Sequence, residues 1–398
     1  MKTRLRFPVR TTCYLAALSL YIVDTHMFSG ISWAGPLVKL IYLFSTMSTL
    51  LIPALLFISF AMDVLQKPRS FHAFVLPCMG LLALSALNTR NPLLLYTAGF
   101  MFCARGIRFD RILNTFYKTS LISLLILLAC NFLGLTRSTY IDFVYGIANS
   151  LGFAHPNNAG IAVATTLLLW GCYNSHRSPL FLIAVFVPVS LLTFHLVLSR
   201  TSLILMLTGL LLILIYKLLQ RLHTEWMIRI TKIAIFIAFA TSLTLMFVSD
   251  RFILNGAVVP TFFVRFTSAL NLFRQHGLHL FGSYIEFRST ILARTLNLPA
   301  VVLDSAYLSL LLNHGLIPSI LFVIAIVRIS MVFSKTKNYL LLIMMALFML
   351  GGMMEQYVLH VQTNFTLLAL TSYVSPSVLA PNPLSSTQKK RRRNKIQI

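Results

Sequence analysis

The feature that most constrains this chain is a succession of long apolar runs that contain very few charged residues. Of its 398 residues, 58% are hydrophobic and 11% are charged, whereas soluble domains carry about 25% charged residues. A water-soluble fold of this length cannot bury so many apolar side chains, so lipid must cover many of them. The sequence therefore predicts an all-α, polytopic integral membrane protein.

A helix needs about 20 apolar residues to cross a bilayer, and this length divides the chain into about twelve candidate spans. They lie near residues 12–31, 36–62, 70–87, 91–104, 115–135, 157–172, 178–197, 201–216, 231–248, 305–327, 338–354 and 363–379. The first run follows a basic N-terminus without a clear small-residue cleavage site. We therefore interpret it as an uncleaved span.

The basic residues predict how the spans are oriented. A net charge of +24 suggests nucleic-acid binding in a soluble protein, but in a membrane protein Lys and Arg mark the cytoplasmic loops. With the N-terminus inside and the spans alternating, most Lys and Arg residues fall on the cytoplasmic side. The pattern favours an even number of spans, two cytoplasmic termini, contact with membrane lipid and no nucleic-acid partner.

This placement divides the chain into four parts. They are N-terminal transmembrane helices (1–248), a large extracytoplasmic loop (249–304), C-terminal transmembrane helices (305–379) and a basic cytoplasmic tail (380–398). The loop is too long for a simple turn and is expected to be folded. A second outer segment, 136–156, ends in the polar sequence GFAHPN.

Isolated arginines on the predicted outer side are candidates for binding an anion. Arg200 lies between two spans without an acid nearby, and Arg265, Arg274 and Arg288 lie in the large loop. A guanidinium group matches phosphate oxygens in a bidentate geometry. The alternatives are structural: Arg200 can extend to lipid head groups, and the segment around Arg265 has the apolar spacing of an amphipathic interfacial helix.

Polar residues next to the outer ends of spans form a second group of candidates. Asp304 precedes an apolar run, with Tyr307 one turn later, and His155 and Asn157 stand before another run. A carboxylate or an imidazole in such a place can position or deprotonate a sugar hydroxyl. The structural alternatives are helix capping by Asp304 and by the asparagines that follow His155.

Other chemistry is not indicated by the sequence. The five Cys residues lie in or beside apolar runs without a CxxC motif and are interpreted as small buried hydrophobic residues. Only nine acidic residues are spread along the chain, which argues against a divalent-metal site.

Glu355 and His360 form a further polar set between the last two predicted spans.

Four segments together resemble the Wzy family of bacterial polysaccharide polymerases, which is distantly related to O-antigen ligases. GFAHPNNAG is similar to the family's GFgHPN segment, LSRTSLI to its SRts segment, LHLFGSYI to the LFG segment of its outer loop, and LDSAYLSLLLNHGLIP to its DNsYlxLLxxyGii segment. The family's SGR arginine corresponds to Arg265, by its distance from Gly282. The segments follow in the family's order on one predicted side of the membrane.

The resemblance implies a GT-C-like, metal-independent, inverting glycosyltransferase of the bacterial inner membrane, without a cofactor. Such an enzyme moves a growing glycan from undecaprenyl pyrophosphate to the non-reducing-end sugar of the next lipid-linked repeat unit, at the outer leaflet. A flippase and a chain-length regulator are the protein partners that it implies. The catalytic residues are then Arg200, Arg265 and Asp304, and the substrate-binding residues are His155, Asn157, Tyr307, Arg274 and Arg288.

Two other functions compete with polymerisation. An O-antigen ligase passes the glycan to a different final acceptor, but the ligase family usually has a His where this chain has Asp304. A secondary transporter or flippase would carry charged groups near the bilayer midplane, where this chain offers Lys39 and His195. The polymerase hypothesis requires Arg200, Arg265 and Asp304 to meet at one external cavity.

Overall fold

Helices make up most of the part of the chain that the structure describes. The computed structural model describes residues 2–28, 32–33, 37–66, 69–138, 140–143, 146–219, 224–254, 261–288, 301–376 and 378–379. Its helices are α1 (Lys2–Val23), α2 (Leu37–Val64), α3 (Arg69–Thr89), α4 (Leu93–Cys103), α5 (Phe109–Phe132), α6 (Pro156–Tyr173), α7 (Pro179–Val197), α8 (Arg200–Leu219), α9 (Thr224–Leu254), α10 (Thr261–His276), α11 (Ala306–Ser309), α12 (Leu316–Lys335) and α13 (Tyr339–Gly351). A helix satisfies its backbone N–H and C=O groups within one segment, as lipid requires.

Seven of the described helices are long and apolar enough to cross a membrane. Their spans are Ile41–Val64, Phe71–Thr89, Phe109–Phe132, Pro179–Val197, Arg200–Leu219, Thr231–Ser249 and Leu316–Lys335. Their outward faces carry large apolar side chains such as Phe57 and Leu87, which are 71% and 77% exposed and which water would not stabilise. The chain is therefore a mainly helical, multi-pass membrane protein, which confirms the prediction from composition.

The prediction of about twelve spanning helices is wrong for the part of the chain that the structure describes. The predicted spans 91–104 and 338–354 are the short helices α4 and α13, with 11 and 13 residues. The predicted spans 12–31 and 157–172 correspond to α1 and α6, which are not among the seven apolar helices. Most residues of α6 are buried inside the bundle, so this helix packs against protein rather than lipid.

Small residues set α6 and α8 side by side in parallel. A side chain at Gly160 would overlap Ser202, and one at Gly209 would overlap Leu168, so the two helices begin at the same end of the bundle. Close approach through small residues is typical of helix packing in membranes. We call the end of the bundle at which α6 and α8 begin the site end.

The predicted span 363–379 is wrong as a helix, although the chain there still runs from one end of the bundle to the other. It contains a 3-10 helix at Phe365–Ala369, followed by turns. On the N-terminal side of this 3-10 helix, Glu355 is hydrogen-bonded to the start of α8 at the site end. On its C-terminal side, the Tyr373 carbonyl accepts a hydrogen bond from Phe109 at the start of α5. Because the other end of α5 lies near the start of α6, Tyr373 is at the end of the bundle opposite the site end.

Side chains from neighbouring helices satisfy backbone carbonyls at the start of this non-helical crossing and just before it. Thr97 of α4 donates to the Leu359 carbonyl at 2.8 Å, and Thr165 of α6 donates to the Thr363 carbonyl at 3.1 Å. Non-helical backbone is tolerated at membrane depth only where protein surrounds it. The crossing therefore depends on the helices that enclose it.

Two short β-pairs add strand structure to the predicted all-α fold. The strand β1 (Ser32–Trp33) pairs with β2 (Thr136–Arg137), and β3 (Tyr140–Phe143) pairs with β4 (Gly146–Asn149), both in antiparallel register. The hairpin of β3 and β4 leads directly into the polar turn before α6. The segment 136–156, predicted as an outer loop, is thus partly ordered as strands.

Two glycine turns bring the LHLFG and NHGLI segments together. Gly282 (φ 75°) and Gly315 (φ 101°) both adopt left-handed backbone conformations, which glycine adopts without strain. A Cβ at Gly282 would overlap the backbone carbonyl of Asn313. The Leu316 N–H donates to the His279 carbonyl at 3.0 Å. The chain after α10 is thereby fixed to the start of α12.

Gly282→Ala should destabilise the fold, because the added methyl group overlaps the Asn313 backbone and the residue keeps a strained positive φ. We expect a loss of about 2 kcal/mol or more, observed as a lower melting temperature in detergent. Gly277→Ala is the matched control, because Gly277 has φ 71° but nothing within 4 Å of an added Cβ. Equal melting temperatures for the two variants would contradict the close packing at Gly282.

Candidate active site

Arg265 is the centre of a charged cluster at the site end. Its Nε lies 3.0 Å from Asp304 Oδ2. Its Nη1 lies 3.7 Å from Glu355 Oε1 and donates to the Met354 carbonyl at 2.6 Å. A guanidinium group has five N–H donors in a fixed geometry and can hold several acceptors at once. Arg265 thereby joins α10 to the segments before α11 and after α13.

Asp304 is positioned by the neighbouring polypeptide and does not cap a helix. Ser305 occupies the N-cap position of α11, so the capping interpretation of Asp304 is wrong. The carbonyl of Leu303 accepts a hydrogen bond from the side-chain amide of Gln356. Gln356 directly follows Glu355 in the chain, so this bond holds the two carboxylate-bearing segments against each other.

Glu355 is a second carboxylate of the cluster, which the sequence did not place among the catalytic candidates. Thr201 Oγ1 donates to Glu355 Oε1 at 3.1 Å, and the Glu355 side chain is buried. The hydrogen bond brings the start of α8 into the cluster. The sequence feature that could have identified Glu355 is its rarity: it is one of only nine acidic residues in the chain and lies in a polar segment.

Arg200 lies beside this cluster in the chain. It is the exposed first residue of α8 and directly precedes Thr201. The structure therefore brings Arg265 and Asp304 into direct contact and places the backbone of Arg200 at the same end of the bundle. The site end thus carries a second arginine besides Arg265, next in the chain to the Thr201 hydroxyl that is bonded to Glu355.

Burial and neighbouring charges shift the pKa values of both carboxylates. Desolvation raises the pKa of Asp304, whereas the positive charges of Arg265 and His155 lower it. Desolvation also raises the pKa of Glu355 to about 7; Asp304 adds to this rise, and Arg265 and the Thr201 hydrogen bond oppose it. Glu355 therefore gains or loses its proton near neutral pH, as a general acid or base must.

His155 caps α6, so the predicted capping by an asparagine is wrong. Its Nδ1 accepts a hydrogen bond from the Asn157 backbone N–H at 3.1 Å, and the proline that follows is well suited to the first helical position. Burial lowers the pKa of His155, and Asp304 opposes this shift. Asn158 accepts a hydrogen bond from the Tyr357 hydroxyl at 3.1 Å, which links the GFAHPNNAG turn to the segment of Glu355.

Two residues predicted to bind substrate lie apart from the cluster. Tyr307 is 3% exposed, and its hydroxyl donates to the Met349 carbonyl inside the bundle. The Tyr307 hydroxyl is therefore engaged inside the bundle and does not face the cluster, and substrate binding by Tyr307 stays a prediction. Arg274 is exposed at the end of α10, about 13 Å along the helix axis from Arg265.

Arg288, the last of the predicted substrate-binding residues, is held by its backbone. The backbone of Arg288 pairs with that of Val301 through two hydrogen bonds of 3.0 Å, and no ion pair joins its side chain to the described residues of the cluster. Within the described ranges, no group of three or more His, Cys, Asp or Glu side chains is arranged to hold a metal ion.

No protein-family model, curated protein or solved structure matches this chain. The resemblance to the Wzy family rests on the four sequence segments alone. Three of these segments supply His155, Thr201 and Asp304 to the site end. The fourth contains Gly282, which packs against the segment of Asp304.

The stability of Glu355→Gln relative to the wild type should rise as the pH rises. Because burial raises the pKa of Glu355 from 4.5 to about 7, the folded state holds this proton more tightly than the unfolded state. The wild type therefore loses stability as the pH rises through that window. Glutamine keeps an acceptor for Thr201 but does not titrate. Melting temperatures in detergent at about pH 5 and about pH 8 measure the difference.

The matched control is Glu286→Gln, the same substitution at an exposed position, against which the effect at Glu355 is compared. If Glu355→Gln differs from the wild type by the same amount at both pH values, Glu355 does not have the buried environment described above.

Proposed function

We propose that this chain is a Wzy-type polysaccharide polymerase, a metal-independent membrane glycosyltransferase that joins undecaprenyl-pyrophosphate-linked repeat units into a surface polysaccharide. The observation that carries the proposal is the contact of Arg265 with Asp304 and Glu355 at one end of an apolar helix bundle. Guanidinium and carboxylate groups together suit a reaction that releases a diphosphate and activates a hydroxyl group. The segments that form the site end are those that resemble the family.

Arginine supplies the charge that a metal ion supplies in many other transferases. The leaving diphosphate gains negative charge as the glycosidic bond breaks, and Arg200 and Arg265 stabilise that charge. Asp304 engages Nε of Arg265, and Met354 and Glu355 engage Nη1. Nη2 has no hydrogen-bond partner among the described residues and is the nitrogen that we assign to the diphosphate.

A largely apolar cavity, lined in part by Tyr307, supports a lipid-linked substrate. It lies between α9, α12 and α13, has a volume of about 330 Å³, and is lined by side chains that include Phe239, Tyr307 and Met349. Tyr307 belongs to the same short segment as Asp304. A polyprenyl chain is apolar throughout and gains free energy by leaving water for such a surface.

The finer architecture is part of the same proposal. We place a GT-C-like bundle in the bacterial inner membrane, with the site end at the outer leaflet and both termini in the cytoplasm. Basic residues at the opposite end of the bundle support this orientation; examples are Arg177 before α7, Lys217 near the end of α8 and Lys335 at the end of α12. A flippase and a chain-length regulator would be the protein partners.

Arg265→Ala and Arg200→Ala should each abolish long glycan chains, because each removes a donor that stabilises the leaving diphosphate. We expect the elongation rate to fall by about 10²-fold or more. The assay uses purified protein in vesicles with lipid-linked repeat units and no ion gradient, and product length is read on a gel. Arg111→Ala is the matched control, because Arg111 is an exposed arginine in the first turn of α5, at the opposite end of the bundle.

Chains of normal length from both the Arg265→Ala and the Arg200→Ala variants would refute the diphosphate site. In cells, loss of a polymerase leaves single repeat units, whereas loss of a ligase leaves long chains that are not attached to their final acceptor. Elongation by the purified protein without a gradient separates a polymerase from a transporter.

A further inference from the structure

The two carboxylates of the cluster have different surroundings. Asp304 Oδ2 is in a close ion pair with Arg265 Nε, at 3.0 Å. Glu355 lies farther from the guanidinium group, at 3.7 Å, and receives the Thr201 hydroxyl on the same oxygen, Oε1. Glu355 Oε2 accepts no hydrogen bond from a residue that the structure describes. One carboxylate is thus engaged in a tight pair, and the other has an oxygen left for a further donor.

These surroundings suit the two carboxylates to different tasks. Burial raises the pKa of Asp304 as well, but its 3.0 Å ion pair with Arg265 engages this carboxylate and favours its charged form. A general base works best when its pKa lies near the working pH, and burial raises the pKa of Glu355 to about 7. Asp304 is therefore better suited to holding Arg265, and Glu355 to accepting a proton.

We propose that Glu355 is the catalytic base that removes the proton from the attacking sugar hydroxyl, and that Asp304 positions Arg265 for the leaving diphosphate. This assignment rests on the proposed polymerase function. The sequence left the base open between Asp304 and His155, and the free oxygen of Glu355 favours a third residue. His155 is engaged through Nδ1 with the first turn of α6.

The proposed step exchanges one bond at the anomeric carbon and moves one proton to Glu355. The hydroxyl oxygen of the acceptor sugar forms a bond to the anomeric carbon of the donor glycan, and its proton passes to Glu355 Oε2. The bond between the anomeric carbon and the diphosphate oxygen breaks, and its electron pair leaves with undecaprenyl pyrophosphate. Arg265 and Arg200 stabilise the added negative charge. Glu355 then releases its proton to water.

The charges around Glu355 determine how its protonation responds to substrate. Arg265 on α10 faces it with a positive charge, Asp304 before α11 with a negative charge, and Tyr357 on its own segment with a phenol. The neutral Thr201 hydroxyl faces it from α8. A diphosphate bound to Arg265 would add negative charge and strengthen Glu355 as a base.

The test compares the wild type with Glu355→Gln, which keeps the size of the side chain and an acceptor for Thr201. Initial rates of elongation are measured on lipid-linked repeat units from about pH 5 to about pH 9. We expect kcat to fall by about 10²-fold or more with KM within about threefold of the wild type. We also expect the rise in kcat/KM near pH 7 of the wild type to be absent from the variant.

Asp304→Asn separates the two carboxylates, because it removes the partner of Arg265 but leaves Glu355 in place. We expect this variant to keep a rising limb in its pH profile. We expect the limb at a lower pH, since the negative charge of Asp304 raises the pKa of Glu355. Loss of the limb in Asp304→Asn together with its persistence in Glu355→Gln would overturn the assignment and favour Asp304 as the base.

The outcomes distinguish this inference from the polymerase function. If the wild type elongates chains and Glu355→Gln has a kcat within about threefold of it, Glu355 is not the base, but the function stands. If the wild type does not elongate lipid-linked repeat units, the polymerase function fails and this inference fails with it. If Glu355→Gln does not fold, Glu355→Asp decides: a reduced kcat with a retained rising limb supports the base, and an unchanged kcat overturns it.

Discussion

The guanidinium group of Arg265 lies between two carboxylates and joins parts of the chain that are far apart in sequence. It contacts Asp304 before α11 and Glu355 after α13, and Glu355 is bonded in turn to Thr201 of α8. A buried carboxylate that loses its partner lowers the free energy of unfolding by several kcal/mol. The site end is therefore stable only while these segments stay together, and loss of Arg265 would leave two acids without their cation.

The helices could be predicted from the sequence because apolar runs of sufficient length form helices in lipid wherever they occur. The non-helical crossing at 363–379 could not be predicted in this way. Thr165 satisfies the Thr363 carbonyl at its start, and Thr97 satisfies the Leu359 carbonyl just before it. Both residues are distant in the chain, and a hydropathy profile contains no information on such bonds. The same limit applies to α4 and α13, whose short length is set by the turns that surround them.

The candidate site could be predicted in part. Arg265 and Asp304 stood out because charges are rare in this chain, and the structure pairs them. The direction of the Tyr307 side chain, whose hydroxyl is bonded to the Met349 carbonyl, could not be predicted, because it depends on how α11 is rotated, which one sequence does not fix. Glu355 was seen only as a polar residue, since its importance comes from contacts with Arg265 and Thr201 across long stretches of sequence.

A double-mutant cycle on Arg265 and Asp304 tests the central interaction most directly. Melting temperatures of Arg265→Gln, Asp304→Asn and the double variant are compared with the wild type in one detergent. Because the two side chains are in direct contact at 3.0 Å, the double variant should be less destabilised than the sum of the single variants, by at least about 0.5 kcal/mol. Strictly additive effects would show that the two residues do not interact, and would contradict the site described here.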